Sequence, residues 1–394
     1  MLYLLPDLPQ AAKDFLALWE DPRQNEFVFQ TSGTTGPSRS HRLSREQMIQ
    51  AALSSQEALG WSPGQRVGMV LPATGMGGKM SLVRASVFGM ISVPLALDLR
   101  PQPWTQKPGD NTTPPRPYDA YLDHLSLVPS QALALLRHWL DLGVDPGDRL
   151  GTLLLGGGPA VTDLRKVLER APANGKPWRV FLGFGMTETA GHFALQQLFP
   201  HPQASYKPLP GLQISLEPLN STSNDPNDIN VGALVVTGPV TNHQPLSTRE
   251  IAKLNPAEGT FDWLGRADLT IQSGGHTLLI DELEAQIRFS AAQNPDLAWL
   301  NGPHWYLAPL PDPVWGEQVA LCLPQSMLAT LPKDPLYPHT WAPCLPKSAY
   351  PRYLVIVPED CFEVPGKVRR LGAEALALLD PKPLTGGYRF VGKL

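Results

Sequence analysis

Neither sign of charge dominates this chain: 32 Lys and Arg stand against 36 Asp and Glu in 394 residues, a formal net charge of -4. The basic excess that draws a protein to nucleic acid or to an anionic membrane is missing. Long apolar runs are missing too, since the longest, Ala85 to Leu97, falls well short of the ~20 residues that span a bilayer. The opening MLYLLPDLPQ has no basic region ahead of its apolar residues, so neither a signal peptide nor membrane insertion is expected and a cytoplasmic location is. Cysteine is scarce. Cys322, Cys344 and Cys361 are odd in number, far apart and without C-x-x-C spacing, which supports neither a disulfide framework nor a zinc cluster. No repeat of fixed period runs through the chain.

Proline and glycine are abundant, at 43 and 34 residues without a collagen-like period, and they indicate a loop-rich globular protein. The 42% of hydrophobic residues suffices for a core. Single cores stop growing near ~250–300 residues, so the length fits one large domain and a smaller one. Small molecules are the expected ligands.

Apolar strands alternate with helical patterns. EFVFQ breaks into the Gly/Ser/Thr loop TSGTTGPSRS and then into SREQMIQAALSSQEALG, a helix for which Ser44 is a candidate N-cap and Glu46 and Gln47 lie near the capping-box position. RVGMVLPATG, RLGTLLLGG and RVFLGFGMTETAG each read as a strand running into a loop. Strands alternating with helices indicate an α/β sheet, whose ligands bind at the carboxyl ends of the strands, where each of these loops lies. Pro101 to Pro117 and Leu219 to Asn230 are too rich in Pro and polar residues to be elements. Beyond them GALVVTG and GTFDWLGRADLTIQSGG read as β, DELEAQIRFSAA as a helix, and WYLAPL, QVALCLP and RYLVIVP as strands. The expected boundary falls near Arg266 to Asp268, giving domains 1–266 and 267–394.

Three loops carry candidate chemistry. In Thr31-Ser32-Gly33-Thr34-Thr35-Gly36 two glycines let the backbone approach an anion while N–H groups and four hydroxyls supply donors, as in a phosphate loop; a polar turn is the plain alternative. It is no Walker A loop, because G-x-x-x-x-G-K-[ST] is absent and Arg39 is the nearest cation. In FGMTETAG, Thr187 and Glu188 set a hydroxyl beside a carboxylate, a hard-oxygen pair suited to magnesium and a phosphate, or equally an acidic first turn of a helix. GGGPA, Gly156 to Ala160, lets a flat ring lie on backbone or makes a tight turn.

Taken together and in order, these segments resemble the acyl-adenylate-forming superfamily of acyl-CoA synthetases, luciferase-like enzymes and peptide-synthetase adenylation domains, from Phe27 nearly to Arg370. TSGTTGPSR resembles its nucleotide phosphate loop, with the usual Lys displaced to Ser38-Arg39. LLGGGP, with Gly157, Gly158 and Pro159, resembles the adenine-side loop. FGMTE resembles the YGxTE motif, so the resemblance assigns Phe184, Gly185, Met186 and Thr187 to the nucleotide, Phe184 stacking on adenine, and Glu188 to magnesium. STREIAKL matches TGDxxxL, which makes Glu250 the ribose-binding carboxylate with one extra methylene. In GRADLTIQSGGHTLLIDELE, Arg266 takes the ribose-binding arginine role and Asp268 the hinge; Leu269 replaces a second acidic residue. Ser273, Gly274 and Gly275 would line the pantetheine channel. VPGKVRR makes Lys367 the catalytic lysine, whose plain alternative is a solvated lysine in a basic patch with Arg369 and Arg370.

The resemblance implies a large α/β adenylate-forming domain, shortened at its N-terminus, joined by a hinge to a small α+β domain. It implies ATP and Mg2+ as cofactors and coenzyme A as co-substrate. LPATGMGGKMSLVRA, LSLVPSQ, GFGMTETAGHFAL and FDWLGRADLTIQSGG resemble the o-succinylbenzoate-CoA ligases of menaquinone biosynthesis, and the start about thirty residues before the phosphate loop suits compact members of that group. Aryl or medium-chain acyl-CoA ligases, or a non-catalytic nucleotide-binding relative, are the alternatives. o-Succinylbenzoate carries a second carboxylate, so its pocket should hold a cation or several strong donors. Lys79 is the first candidate, with Arg84 beside it and Gly75 standing where the family often has a bulky His or aromatic; both cations read equally as solvent-facing residues of an amphipathic helix. Gln131 and His192 follow, then Arg137 and His138. A homodimer is a compatible assembly state.

Overall fold

The computed structural model describes residues 8–30, 40–95, 121–158, 162–172, 175–218, 230–273, 276–302, 304–331, 341, 344–346, 349–362, 368–379 and 381–383. Helix α1 (Gln10–Glu20) buries Ala12, Phe15, Leu16 and Trp19, the three-and-four spacing of one helical face. Strand β1 (Glu26–Gln30) pairs antiparallel with β2 (Ser40–Ser44), from Glu26 opposite Ser44 to Gln30 opposite Ser40. The sequence reads EFVFQ as the first strand of the alternating α/β series. The structure instead folds it back on the residues after the Gly/Thr loop, as a separate two-stranded ribbon. Helix α2 (Arg45–Leu59) starts as expected: the Ser44 hydroxyl accepts the Gln47 N–H at 3.1 Å, and the Gln47 side chain accepts the Ser44 N–H at 2.9 Å.

The central sheet has seven strands. Strand β3 (Arg66–Met69), helix α3 (Met76–Val87), β4 (Ile91–Pro94), β5 (Leu122–Leu127), α4 (Pro129–Asp141), β6 (Leu150–Leu155), α5 (Thr162–Glu169) and β7 (Arg179–Met186) follow in chain order. The spatial order is β4-β3-β5-β6-β7, all parallel. Two antiparallel strands, β8 (Gly191–Phe199) and β9 (Lys207–Pro208), complete it. Alternate residues face opposite sides of a strand. Accordingly Leu154 and Phe181 join the core made with α1, α2 and α3, while Leu153, Leu155, Val180 and Leu182 join the core made with α4 and α5. Helices thus cover both faces, as the alternation of elements predicts.

Strands β10 (Gln213–Glu217), β11 (Val231–Thr237), β12 (Leu246–Asn255) and β13 (Thr260–Arg266) form a four-stranded antiparallel sheet. It packs on β8 through Phe193, Ala194, Leu234, Val236, Ala252 and Phe261. After it come β14 (Thr270–Ser273), β15 (His276–Leu279), α6 (Ile280–Ala291), β16 (Tyr306–Asp312), β17 (Gly316–Pro324), β18 (Tyr353–Val357), α7 (Ala373–Ala377) and β19 (Lys382–Pro383). Their sheet runs β15-β14-β17-β18-β19, with β16 on β17. Its two cores draw on residues from Leu269 onward, whereas the three preceding cores stop at Phe261.

Candidate active site

The site is built where β7 ends. After Met186 the chain makes one 3-10 turn, Thr187–Thr189, and Ala190 at φ 53° and Gly191 at φ 105° reverse it into β8. Gly185 is dictated by that reversal, since a Cβ there would run into the Gly191 carbonyl and the His192 Cα. Thr189, fully buried, locks the turn by accepting the Met186 N–H at 3.3 Å and donating to the Gly191 carbonyl at 2.7 Å. Glu188 sits partly exposed on the turn, and no hydrogen bond or ion pair engages it among the described residues. Beside it, β6 runs out into Gly157, at φ 81°, and Gly158. A cluster of three or more His, Cys, Asp or Glu able to hold a metal is absent among the described residues.

Phe184 stands in an aromatic cage, its ring centroid 5.0 Å from Tyr206, 5.4 Å from Phe193, 5.5 Å from Phe261 and 6.0 Å from Trp263. Trp263 then hands the site on: its indole N–H donates to Glu250 Oε2 at 2.7 Å. Glu250 lies opposite Arg266 in the β12–β13 register. Burial pushes the Glu250 carboxyl above the ordinary glutamate range, while the Trp263 hydrogen bond and the Arg266 charge pull it back. Arg266 makes a two-pronged pair with Asp268, at 2.8 and 2.7 Å, and its backbone N–H donates to Asp281 at 3.2 Å at the start of α6. That pair raises the guanidinium further. Phe184, Glu250, Arg266 and Asp268, read separately from three motifs, thus form one connected line from the end of β7 to the start of α6. Two links in it, Trp263 and Asp281, were not singled out from the sequence. Trp263, within FDWLGR three residues before Arg266, carried the only signal, as a large aromatic on the strand that delivers Arg266.

The candidate acyl-side residues separate. Lys79 turns its ammonium over the rings of Phe29, at 4.8 Å, and Phe15, at 5.7 Å, toward β1 and α1, and burial lowers its pKa. Of the two readings of Arg84 the solvent-facing one fails: the residue is 6% exposed, with its guanidinium 5.1 Å from the Trp61 ring. Its Nη2 lies 3.2 Å from His192 Nδ1, and His192 Nε2 lies 3.0 Å from Ser55 Oγ. Ser55 gives its own proton to the Ala51 carbonyl at 2.8 Å, so it accepts from His192 Nε2–H, and Nδ1 is left to accept from Arg84. Burial, and then the Arg84 charge, hold His192 well below its ordinary pKa, as a neutral ring. Gln131 gives its carbonyl oxygen to the Val128 N–H at 3.1 Å, so that acceptor caps α4 rather than reaching a substrate. Gly75 is the N-cap of α3, and a Cβ there would come no nearer than 3.7 Å to its surroundings. His138 lies in the last turn of α4, and Arg137 pairs with Asp163 at 2.8 Å.

Ser273 is buried at the end of β14, opposite Gly316 of β17. Arg369 pairs with Asp360 at 2.6 Å, and Arg370 makes a two-pronged bond to Glu284 at 2.7 and 2.9 Å. A solvated basic patch around Lys367 is therefore not what these arginines form, because carboxylates hold both. Thr31 to Gly36, Arg39, Pro159, Gly274, Gly275 and Lys367 lie outside the described residues.

No protein-family model and no curated protein matches the sequence. Solved structures do. An AMP-forming acyl-CoA synthetase/AMP-acid ligase II-like protein from Dyadobacter fermentans is 25% identical, covers 91% of this chain and 91% of its own, and superposes with a TM-score of 0.53. The fold is that of the AMP-forming acyl-CoA synthetases. The o-succinylbenzoate coenzyme A synthetase of Bacillus subtilis, in complex with ATP and magnesium, has the same fold at 21% identity and TM-score 0.62, over 84% of this chain and 66% of that one. This chain thus spans just under two thirds of that enzyme. ATP-bound MatB from Rhodopseudomonas palustris matches over 90% of this chain and 67% of its own at 18% identity and TM-score 0.61. In the described helices no segment is long and apolar enough to cross a membrane.

Proposed function

We propose that the chain is an ATP- and magnesium-dependent acid–thiol ligase that forms an acyl-AMP and then an acyl-CoA, with o-succinylbenzoate, and so menaquinone biosynthesis, as the best-supported substrate and pathway. The observation that carries the reading is the continuous line Phe184–Trp263–Glu250–Arg266–Asp268 within this fold: an aromatic face, a carboxylate and a guanidinium in the order that adenine and ribose require. The B. subtilis enzyme's complex with ATP and magnesium supports the cofactors, and its o-succinylbenzoate chemistry supports the substrate.

Adenylation asks one anion to attack another. Two unit charges 4 Å apart cost about 4 kcal/mol at an effective dielectric of ~20, roughly three decades of rate. Lys367 supplies one compensating cation, an ammonium reaching both the attacking carboxylate and the bridging phosphate oxygen. Glu188, partly exposed and without a hydrogen-bond partner among the described residues, fits a magnesium site whose remaining ligands are phosphate oxygens and water. Magnesium, when bound, would neutralise part of the triphosphate charge. Thr187 offers a hydroxyl to the α-phosphate, the loop Thr31 to Gly36 cradles the distal phosphates, and Gly157, Gly158 and Pro159 flank adenine. Residues 1–266 and 267–394 act as two domains, a reading supported by the change of core between Phe261 and Leu269. Asp268 is the pivot that removes Lys367 after adenylation and brings Ser273, Gly274 and Gly275 to the thiol.

Pyrophosphate release with ATP and magnesium against o-succinylbenzoate, benzoate, phenylacetate and octanoate, with CoA added afterwards and the product identified by mass, tests the proposal. Release confined to o-succinylbenzoate, followed by its CoA thioester, is the expected result. Release with another acid would overturn the substrate, and ATP binding without release would overturn the activity.

A further inference from the structure

Arg84 is a buried cation without a carboxylate partner among the described residues. Its Nη2 is spent on a neutral imidazole, and its Nε–H, shielded from solvent, has no hydrogen-bond acceptor. An uncompensated buried charge is costly, and proteins meet that cost with a counter-charge or a ligand. Burial accordingly lowers the Arg84 pKa to about 10, which leaves it charged at neutral pH.

Arg84 borders a cavity of about 10 Å3, the size that holds one water-sized occupant, together with Trp61, Ser81, His124, Ser126 and Thr152. Behind the wall, Arg179 Nη2 donates to Thr152 Oγ1 at 3.4 Å and to the Leu59 carbonyl at 2.9 Å. Receiving that bond leaves the Thr152 proton free to point elsewhere. His124 Nε2 lies 2.8 Å from Gln65 Oε1, which also accepts the Ser62 N–H, so Nε2 carries the proton and Nδ1 is a buried lone pair without a partner. Burial holds His124 down at about pKa 4, so it adds no charge. Among the described residues the wall therefore presents one guanidinium group, hydroxyls and no carboxylate.

We infer that this cavity binds one halide ion as the counter-charge of Arg84. The anion accepts from Arg84 Nε–H and the Thr152 hydroxyl. Its charge also favours protonation of His124 Nδ1, so binding raises the His124 pKa.

Thermal melts of the full chain in chloride, bromide or gluconate at constant ionic strength test the site, gluconate being too large to enter. Halides should raise the midpoint by about 1–3 °C over gluconate, and Arg84→Met should abolish the difference. Because Arg84→Met could fail to fold, crystals of the unaltered protein grown in bromide give an independent reading: an anomalous peak within hydrogen-bond distance of Arg84 Nε is expected. Equal melting in all three salts with no peak, a water alone in the cavity, would overturn the inference. The melting and bromide results stand even if the ligase activity does not.

Discussion

Trp263→Phe probes one bond of the proposed nucleotide site. Phenylalanine keeps an aromatic face toward Phe184, whose ring centroid is 6.0 Å away, and deletes the indole N–H that donates to Glu250 Oε2 at 2.7 Å, together with two ring carbons. A hydrogen bond to a charged group is worth about 1.5–3 kcal/mol, and because Glu250 is only partly buried the lower figure applies. That corresponds to roughly one decade in kcat/KM for ATP, with the KM for the acid unmoved. The same bond holds the Glu250 pKa down against burial, so its loss raises the pKa further. A carboxylate that must be ionised to bind ribose hydroxyls fails as pH falls through its pKa, so the acid limb of kcat/KM for ATP moves to higher pH in the variant. Stability changes in the opposite sense. A carboxyl whose folded pKa lies above its unfolded value contributes fully below the unfolded value and loses that contribution as pH rises through the folded one. Trp263→Phe should therefore melt further below the unaltered protein at pH 7 than at pH 4. Pyrophosphate release against pH, paired with thermal melts at both pH values, measures this. An unmoved acid limb with an unchanged KM for ATP in a folded variant would refute the role of Glu250.

Lys367→Ala should lose adenylation by about two to four decades yet still convert supplied acyl-AMP to thioester; equal loss in both halves would remove its assigned role. Gly185→Ala drives a Cβ into the Gly191 carbonyl and His192 Cα, so β7 and β8 must part. A loss of about 1–3 kcal/mol in denaturant titration is expected with a fall in adenylation, and an unaffected enzyme would contradict the need for glycine there. Burial pushes the Cys322 thiol well up and leaves it nearly inaccessible, so a thiol reagent should reach all three cysteines only in denaturant. Rapid labelling of Cys322 in the native protein would show that the β16–β17 core opens.

Local chemistry made part of this structure readable. Ser44 and Gln47 announce the start of α2 because a capping box is written within four residues, and Leu153 to Leu155 read as a strand because one β period places neighbours in different cores. The β1–β2 ribbon was not readable. Its pairing joins residues on either side of the Gly/Thr loop, and strand patterns do not name their partners. At the site, Phe184, Glu250, Arg266 and Asp268 were each legible in a motif, but the Trp263 and Asp281 links depend on a register and a helix start that bring distant residues together. For Arg84 the sequence leaves a pocket cation and a solvent-facing residue equally open, and only the packing of α2, β6 and β8 around it shows that it is buried. Gln131 has a further role that its place in the helix explains, since at the third position its carbonyl oxygen caps the backbone of α4.

The central claim is acid-dependent adenylation, and exchange of labelled pyrophosphate into ATP, without CoA, tests it most directly. The account predicts exchange that requires both magnesium and o-succinylbenzoate and that collapses in Lys367→Ala. Exchange that ignores the acid, or ATP consumed to ADP and phosphate with no exchange at all, would contradict it.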